Sequence, residues 1–387
     1  MRVSALALVL ASAGGWACGS PQTTTTVPIA LARSDASPPA HVAIQHPPAL
    51  SLLAYDQTCL LAHGKLRCRT TMKPDTPFSN EPVVAGLESL DVKQASLGRD
   101  FGCAVIRGGD VMCWGGNHFG QLGANLSDAQ HDAAIAVANL HGVKNVFAGP
   151  AHVCGVVEGG HVACWGKNQF GENGSATQYL EGARELVEPQ IVPGVEDVVD
   201  MALGWDATYA ATSNGSVIAW GRRKLKDEPA TPAWTEKPRV IASLEGMTSL
   251  TSNEETFCGV QKDALVCWGQ TSTFTKTFAR DDFLTIPIEH PRRARLSALH
   301  GCAIDAAGDV WCFGLNTEGQ LGVPPPSNQQ DRFTAMPPTK VPGVARAVDV
   351  VCESGFSCAL TATDEVYCWG RFSYETEEMH PPTRIAL

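Results

Sequence analysis

The 387 residues contain no extended tract of lysine or arginine, and the formal charge is -11. Affinity for a phosphate backbone comes mainly from clustered cations, so this composition counts against nucleic acid as a partner. It gives no help at an anionic membrane surface either, which leaves an acyl chain as the route to a membrane. Catalytic signatures are missing too: there is no Gly-x-Ser-x-Gly elbow, His-Glu-x-x-His helix, phosphate-cradling loop or dinucleotide fingerprint. The adjacent carboxylates Glu254-Glu255 and Asp281-Asp282 read as solvated surface. Five tyrosines and no recognisable arginine constellation give no support to sialidase-like chemistry. Cys-x-x-Cys knuckles are absent, which speaks against zinc. No enzyme activity, cofactor or metal is expected.

Long hydrophobic runs are also lacking. The longest at the N-terminus, Val3 to Ala13, is too short to span a bilayer, follows Met1-Arg2 and leads to Ala17-Cys18-Gly19, the order of a secretory signal. Residues 1–17 are therefore expected to be a signal peptide. The placing of Cys18 resembles the lipobox of bacterial lipoproteins, in which it would be lipidated, although Gly15 and Trp16 depart from the usual pattern. Plain cleavage after Ala17 is the alternative. Under the lipoprotein resemblance, Gly19 rather than aspartate implies the outer membrane. Residues 18–48, with Thr23 to Thr26 and many prolines, lack the apolar periodicity of a core and read as a tether. The expected location is the bacterial cell envelope, or the exterior if the chain is secreted.

Residues 49–387 are repetitive, and the repeat decides the fold. Cys, apolar residues, a turn and Cys-aromatic-Gly recur at Cys103 to Gly115, Cys154 to Gly166, Cys258 to Gly269, Cys302 to Gly314 and Cys358 to Gly370. Two degenerate copies are Tyr209 to Gly221, without either cysteine, and Cys59 to Cys68, with Arg69 in the aromatic position. Each copy is a strand, a tight turn and a second strand, a β-hairpin. Apolar strands precede the hairpins, as at Pro82 to Ala85, Pro189 to Val192, Pro238 to Ile241 and Pro338 to Val341. Such units stack into an all-β, seven-bladed β-propeller that leaves no long sheet edge. Val42 to Ile44 and Arg384 to Leu387 supply one outer strand more than the hairpins need. The C-terminal strand is therefore expected to complete a blade begun near the N-terminus.

The units resemble the repeats of the regulator-of-chromosome-condensation propeller family. Its fuller motif, Asn followed by Gly-Gln-Leu-Gly, stands at Asn117 to Gly123 and Asn316 to Gly322, and in altered form at Asn168 to Gly174. Arg99, His152 and His300 lie in the segment where the family often has a histidine. Gly98, Gly149 and Gly204 recur five residues before the first hairpin cysteine or its equivalent, where backbones crowd near a central channel.

Counting outward from a two-residue turn at His63-Gly64 puts Cys59 directly opposite Cys68, in a non-hydrogen-bonded pair that a disulfide can bridge. Cys258 and Cys267 share this spacing of nine. Cys103 and Cys113, Cys154 and Cys164, Cys302 and Cys312, and Cys358 and Cys368 are ten apart, so each needs one extra turn residue, such as a glycine bulge. Six within-blade disulfides, formed after export, are expected. Zinc sites and buried free thiols are the competing readings. Tyr209 and Ala219 replace both members of a pair together, which supports pairing. Cys352 is left over and reads as a small buried hydrophobe.

Trp114, Trp165, Trp220, Trp268, Trp369 and Phe313 recur at one repeat position and read as packing between blades. Trp205 and Trp234 lie outside that register and are better candidates for exposed contacts. The insertions Asn125 to Ala134, Ser175 to Glu188, Arg222 to Lys237, Gln270 to Thr285 and Val323 to Pro337 are candidate binding loops at the faces. Three functions follow: a monomeric scaffold for a protein or glycan, an inhibitor of a secreted enzyme, and, taking the family literally, a guanine-nucleotide exchange factor. Export, disulfides and the missing basic surface oppose the last.

Overall fold

The computed structural model describes residues 50–54, 57–69, 76–124, 129–174, 185–222, 235–271, 274, 283–373 and 378–387. The expected signal peptide, Cys18, the tether, Val42 to Ile44, Trp234 and Asp281-Asp282 lie outside them.

Each repeat folds into one antiparallel sheet whose strands follow in chain order. The first has three strands, β1 (Leu50–Ala54), β2 (Thr58–Ala62) and β3 (Lys65–Arg69). The next has four: β4 (Val92–Leu97), β5 (Phe101–Ile106), β6 (Val111–Gly116) and β7 (Gln130–Ala136). Then come β8 (Val143–Ala148), β9 (His152–Val157), β10 (Val162–Lys167) and β11 (Glu185–Ile191). The fourth sheet holds β12 (Val198–Leu203), β13 (Ala207–Thr212), β14 (Val217–Gly221) and β15 (Thr235–Val240). The fifth holds β16 (Thr248–Ser252), β17 (Thr256–Gln261), β18 (Ala264–Gly269) and β19 (Leu284–Ile286). The sixth holds β20 (Pro291–Leu296), β21 (His300–Asp305), β22 (Val310–Gly314) and β23 (Met336–Lys340). The last is β24 (Ala347–Cys352), β25 (Phe356–Thr361), β26 (Val366–Arg371) and β27 (Met379–Ile385). The first strands touch in order from β4 to β24, and β1 touches both β24 and β4, closing the ring.

The expectation of seven blades is corrected to six: among the described residues six sheets have the four strands of a blade, and the first has three. In five of the six complete blades the ladder to the fourth strand shifts register next to Gly115, Gly166, Gly221, Gly314 or Gly370. All five glycines are left-handed, with φ between 83° and 106°. At Gly166 an added Cβ would come within 2.8 Å of the Ala151 carbonyl oxygen, so no side chain fits that bulge. The first repeat has Arg69-Thr70 instead of aromatic-Gly. The Arg69 guanidinium lies 3.8 Å from the centre of the Phe78 ring and donates to the Thr76 carbonyl at 3.0 Å. Pairing outside β3 shrinks to a single bridge between Arg67 and Val83.

The C-terminal strand does not complete the first sheet either. β27 pairs with β26 as the outer strand of its own blade. The seam is closed by side chains: Phe78 is fully buried with Leu360, Phe372 and Ile385 of the last blade, and its backbone N–H donates to the Ala386 carbonyl at 3.2 Å. Phe78→Ala is expected to lower stability by about 3–5 kcal/mol in chemical unfolding. A loss below about 1 kcal/mol would mean that the ring does not depend on this seam.

The cysteine registers follow from turn chemistry. His63-Gly64 and Lys262-Asp263 have φ of 50°, 74°, 49° and 62°, the two left-handed residues of a type I′ turn. Cys59 then faces Cys68, and Cys258 faces Cys267. In the longer hairpins a left-handed Gly109, Gly160, Gly308 or Asp364 supplies the extra residue. All six pairs are joined as disulfides, with Cα atoms 4.0–4.1 Å apart. The core lies between blades, and the recurrent aromatics belong to it: Trp165, Trp220, Trp268, Phe313 and Trp369 are at most 1% exposed and Trp114 is 6% exposed.

Candidate functional site

The turns between first and second strands lie at the same end of the blades as the loops that leave the third strands. Gly116 N–H donates to the Asp100 carbonyl at 2.9 Å, and Lys167 N–H to that of Ala151 at 3.0 Å. The Asn-led motif shapes these loops. Asn117, Asn168 and Asn316 each accept, through Oδ1, the backbone N–H five residues on, at 3.0–3.1 Å. Gln121 and Gln320 accept from Phe119 N–H and Glu318 N–H at 2.8 Å, and Glu172 accepts from Phe170 N–H at 2.6 Å. The motif therefore fixes which side chain crowns each loop: Phe119, Phe170 or Glu318.

Glu172 stands where the other copies have glutamine, and Lys167 stands where they have Gly116 or Leu315. The two changes are coupled. Lys167 Nζ, with its side chain 3% exposed, lies 2.9 Å from Oε1 of the fully buried Glu172. It also donates to Asp206 Oδ1 at 3.0 Å and to the Trp205 carbonyl at 2.9 Å. All three ammonium protons are thus engaged, which offsets the desolvation a buried charge would otherwise suffer. Arg222 pairs with Asp206 and lies 4.1 Å from the centre of the Phe170 ring.

Trp205, partly buried, sits at the centre of this cluster. Its ring lies edge-on to Phe119 with centroids 6.4 Å apart, and the Lys167 ammonium is 5.3 Å from it. Its backbone N–H donates to the Glu254 carbonyl at 2.6 Å. Arg99 lies 6.0 Å over the same ring and 3.5 Å from Glu254 Oε1. Four blades contribute to one aromatic and ionic face.

Trp205, expected from its place outside the repeat register to make exposed contacts, is partly buried and packs within this cluster. Glu254, read from the sequence as solvated surface, belongs to the cluster. Arg99 is not equivalent to the two histidines with which it was grouped. His152 and His300 open strands β9 and β21 and are fully buried, whereas Arg99 lies in the preceding turn and is exposed. The His152 and His300 Nε2 atoms lie 2.7 and 2.6 Å from the hydroxyls of Thr208 and Ser357 in the next blade. Burial pushes both imidazoles down from 6.5 to about 3. Of the candidate loops only Val323 to Pro337 is described throughout. It carries the single-turn α1 (Gln329–Arg332), and Phe333 next to it is 76% exposed.

Among the described residues one group of three potential metal donors occurs: His300, Cys302 and Cys352, within 4.8 Å of one another. The Cys302 sulfur is bonded to Cys312, which leaves two donors and does not suit a metal. Cys352 is buried against that disulfide, and burial pushes its thiol up to about 12, so it is an unreactive packing group. Among the described residues no helix is long and apolar enough to cross a membrane.

The family model "Regulator of chromosome condensation (RCC1) repeat" matches residues 307–360, and a second model of the same repeat matches 92–121, 143–172 and 347–375. The chain is 25% identical over 313 residues to the ultraviolet-B receptor UVR8 of Arabidopsis thaliana, covering 74% of this chain and 67% of the receptor. It is 25% identical over 256 residues to the human probable E3 ubiquitin-protein ligase HERC4, covering 65% of this chain but only 20% of the ligase. Similarity to the mouse serine/threonine-protein kinase Nek9 is 24% over 306 residues, 78% of this chain and 27% of the kinase. Among solved structures, Prp20p of Saccharomyces cerevisiae matches with a TM-score of 0.65 at 19% identity over 88% of each chain. Human WBSCR16 matches with a TM-score of 0.63 at 19% identity, over 79% of this chain and 84% of that one.

Proposed function

We propose, from its place among the regulator-of-chromosome-condensation repeat propellers, that this chain is an exported, monomeric, non-catalytic scaffold that binds a protein through the face centred on Trp205. The observation that carries this reading is the convergence of Phe119, Phe170 and Trp205 with Arg222 and Glu254. Tryptophan and arginine dominate the energetics of protein interfaces. A rigid ring presents them without an ordering cost on binding. Protein ligands are named for the yeast relative, whose structures concern binding to Gsp1p, to histones and to Kap60. Export is supported by the six disulfides, which form and persist in oxidising compartments. The signal-like residues 1–17 and a lipid on Cys18 would provide export and anchoring, with residues 18–48 as the tether.

Trp205→Ala should weaken partner binding by at least about 30-fold while leaving the thermal transition nearly in place. Val348→Ala, 44% exposed at the other end of strand β24, should leave affinity unchanged. The measurement is quantitative co-isolation of cross-linked envelope proteins by the wild type and both variants. The same partners at the same yield with Trp205→Ala would remove this face from the function.

A further inference from the structure

The cations on this face are not equally committed. Lys167 is buried and has three partners, and Arg222 is paired with Asp206. Among the described residues Arg99 has only the Glu254 carboxylate at 3.5 Å and the Trp205 ring at 6.0 Å, and the side chains of Arg99 and Glu254 are 55% and 46% exposed. It comes from a different blade than either partner. An indole face and a carboxylate, supplied by neighbouring blades, thus hold a guanidinium that arrives on a separate turn. We infer that Trp205 and Glu254 form a guanidinium subsite, which Arg99 fills as a tethered stand-in, and that the natural occupant is an arginine of the protein partner.

Three features favour this occupant. A guanidinium stacks on an aromatic face while its N–H groups reach a carboxylate in the plane, which a compact ammonium does less well. Asp100 and Glu255, exposed beside Arg99 and Glu254, have no cationic partner among the described residues, so the rim keeps an excess of negative charge when Arg99 swings away. The whole chain, at -11, attracts a basic segment from a distance. Exchange needs no backbone movement, because an exposed arginine side chain can leave by rotamer changes alone.

The inference rests on the reading of this face as a binding surface. It is tested with N-acetyl-arginine methylamide as the probe, titrated into the full chain while the Trp205 indole resonance, assigned by its loss in Trp205→Phe, is followed. Arg99→Ala should bind the probe at least about tenfold more tightly than the wild type, since the stand-in is gone. Adding Glu254→Gln should abolish that gain, and the lysine analogue should bind more weakly. A flat titration with folded Arg99→Ala, or equal binding with Glu254→Gln, would overturn the subsite. If Trp205→Ala still loses the partner in that case, the face binds a protein by other chemistry.

Discussion

Chain that has been reduced in denaturant and alkylated is expected not to recover the propeller after the denaturant is removed, whereas chain unfolded with its disulfides intact should refold. Loops of nine or ten residues are worth about 2–3 kcal/mol each in the chain-entropy account. Six of them together reach on the order of 10 kcal/mol, comparable to the whole net stability of an ordinary domain. Eleven of the twelve bonded sulfurs belong to cysteines that are fully buried, Cys68 being the exception, so alkylated thiols also have no room there. The readout is the return of the far-ultraviolet circular dichroism and of a cooperative thermal transition. Full recovery by the alkylated chain would show that the hairpins hold their register without the bonds and would remove the main support for export.

Acidification from pH 7.5 to pH 5 is expected to cost the wild type about 4 kcal/mol of stability, or about 6 °C in the thermal midpoint, relative to a chain in which two buried groups are replaced. The cause is the pair of buried histidines. Unfolded, each takes a proton below about pH 6.5; folded, neither does until about 3. The unfolded state therefore binds more protons throughout that window, and stability falls as the pH falls, by about 1.4 kcal/mol per unit for each histidine. Among the described residues His152 Nδ1 has no hydrogen-bond partner, so a second proton on that ring would be buried bare. Burial raises the pKa of Asp200, which acts with the opposite sign. Asp305 is held down chiefly by hydrogen bonds from Trp311 and backbone N–H groups, against a desolvation that pushes it up, and it titrates below this window. Replacing both histidines with glutamine should remove this loss between pH 5 and 7.5 and leave the opposite contribution of Asp200. An unchanged slope would place the acid sensitivity elsewhere.

Much of the fold was legible because hairpin register is local. The spacing of nine or ten between cysteines, with the turn residues between them, fixes which residues face each other before anything is known of the ring. The burial of the recurrent tryptophans was legible for a similar reason, since a residue repeated in every blade is packing. The outer strands were assigned one blade too late. The segment from Pro189 precedes one hairpin in sequence, but its strand β11 pairs with the hairpin before it. That shift produced the surplus strand and the mistaken C-terminal closure. Arg69-Thr70 in place of aromatic-Gly was the available sign that the first repeat departs from the others, and among the described residues its sheet has three strands rather than four.

The binding face was legible only in part. Trp205 could be singled out because it departs from the repeat. Phe119, Phe170, Arg222 and Glu254 converge with it from four blades, and no sequence spacing reports contacts made across a ring. One signal was present: Lys167 and Glu172 depart from the repeat together, as a buried ion pair requires, since either charge alone would be stranded.

Non-reduced peptide mapping of the protein taken from its native envelope, with accessible thiols alkylated before and after unfolding, tests the exported, disulfide-braced propeller most directly. The expected result is a mature N-terminus at Cys18, six linked peptides pairing Cys59 with Cys68 and so on to Cys358 with Cys368, and Cys352 alkylated only after unfolding. A chain that retains Met1 and exposes twelve further thiols once unfolded would contradict both the compartment and the bracing.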